Sequence, residues 1–85
     1  IADFLTDHCG PCKMLDMVLT ELIYDNPEIN LAKCDIEKSP AYVDRFEVEA
    51  TPTLLLMMDG EIKARLTGAQ PRDVLEEAIS EAMYN

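Results

Sequence analysis

Cys9-Gly10-Pro11-Cys12-Lys13-Met14 is the stretch on which the fold turns. Proline suits the first turn of a helix, where its missing N–H has no partner to lose, so Pro11 marks a helix start with Cys9 at its threshold. Beyond it Met14, Leu15, Val18, Leu19, Leu22 and Ile23 recur at helical spacing on one face, and Asp25-Asn26-Pro27 stops the run. Upstream, Ile1-Ala2-Asp3-Phe4-Leu5 is a short apolar run holding one carboxylate, the pattern of a buried strand. Polar residues 6–10 join the two.

Further along the chain, residues 29–36 supply apolar positions Ile29, Leu31, Ala32, Cys34 and Ile36 on both faces, which predicts a parallel strand buried on both sides. Ser39-Pro40 opens a short helix to about Phe46, with Ser39 as its cap. Thr51-Pro52 leads into a strand over residues 53–58, Asp59-Gly60 makes a hairpin turn, and residues 61–67 return antiparallel. After Gly68, Pro71 opens a last helix whose Val74, Leu75, Ala78, Ile79, Ala82 and Met83 form one stripe. The order is βαβαββα. It predicts an α/β fold with a central mixed β-sheet flanked by helices, in one domain over residues 1–85.

Composition narrows the partners. Seven Lys+Arg against 17 Asp+Glu give a net charge of −10, which repels phosphate backbones and anionic lipid. No nucleic-acid or membrane partner is expected, and no apolar run approaches the ~20 residues that span a bilayer. The chain reads as a monomer. It shows no signal-peptide pattern, but Ile1 already lies within a strand pattern, so that absence does not settle the compartment; the expectation is cytoplasmic, with the natural N-terminus left open.

Three cysteines in a chain with long periodic apolar segments do not make a disulfide framework. A Cys-x-x-Cys pair at a helix start suits thiol–disulfide exchange, which needs one thiolate to attack and a second thiol to release the mixed disulfide. Cys9, at the helix N-terminus, meets unpaired N–H groups and the positive end of the dipole, which lower a thiol's pKa and make it the nucleophile. Cys12, one turn inward and less exposed, is the resolving thiol. Lys13 favours the thiolate and Asp7 opposes it. The competing reading is half of a zinc site, but only His8, Cys9, Cys12 and Cys34 are available, and His8 is adjacent to Cys9. No metal or organic cofactor is expected.

Asp3-Phe4, Cys9-Gly10-Pro11-Cys12-Lys13-Met14, Thr51-Pro52-Thr53-Leu54, Asp59-Gly60-Glu61 and Gly68-Ala69 fall in the order and spacing of thioredoxins, and the resemblance covers nearly the whole chain. It implies a thioredoxin-like fold and a protein disulfide reductase. Asp3 matches the family's buried carboxylate behind the dithiol, a group whose pKa desolvation raises and which shuttles a proton to or from Cys12. Lys33 matches the lysine near that carboxylate. Pro52 matches the family's cis-proline, which leaves the backbone of Thr51 free to take an extended substrate as an added strand. Gly10, Pro11, Gly68 and Ala69 line the same shallow groove. Disulfide-containing proteins are the implied substrates and a separate reductase of the thioredoxin-reductase type the implied electron donor, since the chain has no Gly-rich nucleotide motif. The alternative is a thioredoxin-like docking module of a larger protein, with a vestigial dithiol.

Several positions depart from the family. His8 stands where the family usually has Trp, and the chain has no Trp at all. Histidine is the residue type that changes charge near neutral pH, which makes His8 a candidate modulator of the Cys9 thiolate. Met17 replaces a helix-kinking proline, predicting a straighter helix. Full thioredoxins carry a further strand and helix before the position of Ile1. Cys34 is expected as a small buried hydrophobe, and the five methionines as core filler.

Overall fold

The structure, a computed structural model, describes residues 1–84. Its elements run β1 (Ala2–Leu5), α1 (Gly10–Asp25), β2 (Ala32–Asp35), α2 (Pro40–Arg45), β3 (Thr53–Met58), β4 (Glu61–Thr67) and α3 (Arg72–Tyr84). The four strands form one sheet in the order β2-β1-β3-β4. β1 pairs parallel with β2 through the α1 crossover, while β3 is antiparallel to both β1 and β4. The sheet is mixed and α/β, in the predicted element order.

Local chemistry sets the ends of each element. Cys9 caps α1, its Sγ accepting the Cys12 N–H at 3.1 Å, and a proline lies in the first turn. At the other end the Asn26 backbone N–H donates to the Leu22 and Ile23 carbonyls, and its side-chain amide donates to Leu22 O at 2.9 Å. Pro27 cannot continue the ladder. Between β3 and β4 the turn residues Asp59 and Gly60 sit at φ 54° and 81°, the two positive angles that a tight two-residue hairpin demands. No helix among the described residues is long and apolar enough to cross a membrane.

The core lies between the sheet and one layer of helices. Leu15, Leu19 and Leu22 of α1 pack with Leu54 of β3 and Leu75 of α3. Burying one such leucine contributes about 1.5–3 kcal/mol. Successive strand residues point to opposite faces, so Leu55, fully buried beside Leu54, belongs to the other side of the sheet. There Phe4 meets the Phe46 ring, just beyond α2, at 6.0 Å. Paired residues of neighbouring strands share a face. Asp3 and Lys33 are such a pair, and Lys33 bonds to Asp16 of α1, so both lie on the face that α1 covers.

Five expectations are corrected. The second strand is shorter than residues 29–36 and is not buried on both faces: Ala32 and Lys33 are exposed, and Cys34 and Asp35 half-buried, because β2 lies at the edge of the sheet formed by the described residues. Cys34 is therefore a half-buried free thiol. Ser39 precedes α2 but makes no side-chain capping bond, and α2 buries no residue. None of the five methionines fills the core. Met14 and Met17 project from the outward side of α1, whose inward face is Cys12, Leu15, Leu19 and Leu22. Met57, Met58 and Met83 rim a surface cleft with Ile1 and Ile79 at the far end of the sheet. Of the predicted α3 stripe only Leu75 is fully buried, and Val74 and Met83 are exposed.

Candidate active site

Three chain segments converge at one end of the sheet. β1 runs toward Cys9, and Phe4 near its end pairs with Thr53, the first residue of β3. Thr51-Pro52 therefore arrives at the end of β1 from which the dithiol loop departs. Thr53 also pairs with Thr67, the last residue of β4, which places Gly68 there too. The Gly68 N–H donates to Pro52 O at 2.9 Å and ties the two segments together. Gly68 has φ 87°, a conformation glycine adopts at no steric cost.

Cys9 and Cys12 are joined as a disulfide with their Cα atoms 5.2 Å apart. The inward position of Cys12 on the first turn matches expectation, but the contrast in exposure does not. Cys9 is 7% and Cys12 6% exposed. Joined to Cys12 and bonded to its N–H, the Cys9 sulfur is drawn under the helix end. Ahead of it the ground is open, for a Cβ built on Gly10 meets nothing within 4 Å. Gly10, Pro11 and Ala69 are exposed, as is His8, while Thr51 is half-buried and Pro52 fully buried. The Thr51–Pro52 peptide is cis, and the backbone of Thr51 makes no backbone hydrogen bond among the described residues. Thr53 secures the preceding loop by donating its hydroxyl to Ala50 O at 2.6 Å.

Asp3 is the charged-type residue within the core, 1% exposed, and its Oδ1 finds no hydrogen-bond partner among the described residues. Burial pushes its pKa up from 3.8 to about 6; the Lys33 ammonium pulls it down and Asp16 pushes it further up. Lys33, the register partner of Asp3, does not spend its ammonium on that carboxylate. It forms its ion pair with Asp16 instead. Asp16, four residues after Cys12, was not singled out from the sequence, although the i, i+4 spacing places it on the same helix face. Cys12, Lys13, Asp16, Lys33 and Asp7 line one cleft of about 280 Å³. Among the described residues no group of three or more His, Cys, Asp or Glu side chains is placed to hold a metal.

A disulfide at a helix N-terminus, a proline loop facing the same sheet end and a buried carboxylate one strand away define a Cys-x-x-Cys redox site on a thioredoxin-like sheet. The thioredoxin family model matches residues 1–81, and the chain belongs to the thioredoxin family. It is 40% identical over 81 residues to the mitochondrial thioredoxin-3 of Saccharomyces cerevisiae, covering 95% of this chain and 63% of the yeast protein's length. To the thioredoxin of Chlamydia trachomatis it is 39% identical over 80 residues, covering 94% of this chain and 78% of that protein. The oxidised crystal structure of yeast mitochondrial thioredoxin 3 superposes with a TM-score of 0.86 at 39% identity, covering 94% of this chain and 74% of that one.

Proposed function

We propose that this chain is a thiol–disulfide oxidoreductase that reduces protein disulfides through Cys9 and Cys12. The observation that carries the reading is the dithiol's position at the head of α1, where Cys9 is the cap and its sulfur receives the Cys12 N–H. In the reduced protein the same N–H groups and the helix dipole stabilise a Cys9 thiolate. That thiolate attacks one sulfur of a substrate disulfide. A Cys9–substrate disulfide forms and the other substrate sulfur leaves as a thiolate. Cys12 then passes its proton to the Asp3 carboxylate and attacks the Cys9 Sγ. The Cys9–Cys12 bond forms, the Cys9–substrate bond breaks, and the two electrons rest on the reduced substrate.

Thr51, with its unpaired backbone, and the open surface over Gly10, Pro11, Gly68 and Ala69 suit an extended segment of the substrate. The strong negative charge favours partners with a positive or apolar docking face. Restoring the dithiol calls for a separate reductase as electron donor. His8, exposed and adjacent to Cys9, adds a positive charge beside the thiolate when protonated.

Dithiothreitol-coupled insulin reduction tests the reading, with turnover well above background expected. A Cys12→Ser variant should lose turnover and accumulate substrates covalently on Cys9. Background turnover together with no trapped substrate would instead leave a docking module with an idle dithiol.

A further inference from the structure

We propose that Asp16 is a positioning residue: by holding the Lys33 ammonium at the mouth of the cleft, it keeps Asp3 able to accept and return the Cys12 proton near neutral pH. This rests on the oxidoreductase reading above.

Lys33 stands opposite Asp3 in the strand register and has two carboxylates within reach of its flexible stem. One is buried Asp3; the other is Asp16, whose side chain is 42% exposed against 49% for Lys33. Moving an ammonium into the dry core strips it of hydration, whereas pairing with Asp16 leaves both charges half in water. The ammonium goes to Asp16, and Asp3 Oδ1 is left without a partner. Asp16 thus acts on Asp3 twice in one direction. It diverts the cation that would favour the carboxylate, and it adds a negative charge of its own. The charges that act on Asp3 are those of Lys33 and Asp16. The cleft that holds their ion pair is also lined by Cys12 and Lys13 of α1 and by Asp7 of the loop after β1, and the β3 residue paired with Asp3 is uncharged Leu54. A proton acceptor works best when its own pKa lies near the working pH. An Asp3 drawn down toward the ordinary carboxylate range would be a poorer base for the Cys12 thiol.

The test follows the Asp3 carboxyl directly by ¹³C NMR titration of the reduced protein, alongside the pH profile of insulin reduction. Asp16→Asn should lower the Asp3 midpoint by about half a pH unit or more, Asp16→Glu should restore it, and Lys33→Gln should raise it. The pH profile should move in the same order. A merely structural role for Asp16 would lower the melting temperature and leave the midpoint in place. An unmoved midpoint in Asp16→Asn with native circular dichroism overturns the proposal, as does a midpoint that moves while the pH profile stays put. If the unsubstituted protein reduces no insulin, the oxidoreductase reading fails separately, and the Asp3 midpoint alone then decides for or against Asp16.

Discussion

The centre of the sheet and its β2–α2 flank obey different physics although they are one hydrogen-bonded strand apart. In β3 three consecutive leucines are buried at 0%, 0% and 4% exposure, whereas α2 buries nothing and β2 is half in water. The border runs between Asp3 and Lys33, which face each other across the β1–β2 ladder. On the dry side a carboxyl group loses hydration and its pKa climbs. On the wet side an ammonium stays solvated and chooses an exposed partner. The candidate redox site sits on this border, where the solvated Lys33–Asp16 pair shares a cleft with Cys12 and buried Asp3 stands opposite Lys33 in the strand register.

The most direct way to break the comparison is to remove core volume. Leu54→Ala should destabilise the protein by ~3 kcal/mol through lost burial and an unfilled cavity. Ala41→Ser, on exposed α2, should stay within about 0.5 kcal/mol. Urea unfolding of both variants measures the contrast, and equal losses would erase it.

The next effect reverses the usual sign. A folded pKa of about 6 against the ordinary 3.8 means that the charged form of Asp3 is disfavoured by folding. Stability tied to this group is full below the lower value and is lost as pH rises through the upper one. Asp3→Asn should therefore stabilise the protein at pH 8 by on the order of 2 kcal/mol, with the gain gone near pH 3.5. Urea midpoints at the two pH values check it, and an equal change at both would refute the burial argument. The same variant should slow the resolving step.

The smallest effect belongs to the exposed rim. His8→Ala should leave the urea midpoint unchanged while altering the alkylation curve of the adjacent Cys9. An unaltered alkylation curve would return His8 to the role of a solvent-facing loop residue.

Much of the architecture is legible because its causes are local. Pro11 after Cys9, Pro27 after Asn26 and Asp59-Gly60 act through backbone geometry within a few residues, and each marks the boundary that the structure shows. The unbroken run Thr53–Met58 marks the central strand for a similar reason. The failures share another cause. Periodicity says which residues lie together on a face, but not whether another layer covers that face. Residues 29–36 carried the apolar pattern of an interior strand, yet among the described residues β2 lies at the sheet edge. Met14 fits the apolar series of α1 but lies outside the sector that meets β3 and α3.

The dithiol itself, its place at a helix start and its kinship with thioredoxins were determined by the sequence, because cysteine spacing, a helix-starting proline and turn residues act over one or two turns of chain. The apolar run around Asp3 also marked it as the dry carboxylate, but tertiary structure alone decided that Asp16 would hold the lysine. Asp3 and Asp16 are the same residue type, 13 positions apart in the sequence. One is sealed beneath α1 beside Leu54, the other stands half-exposed on α1, paired with Lys33 of β2. The free energy of a charge depends on the water it keeps, and that is set by every layer packed around it.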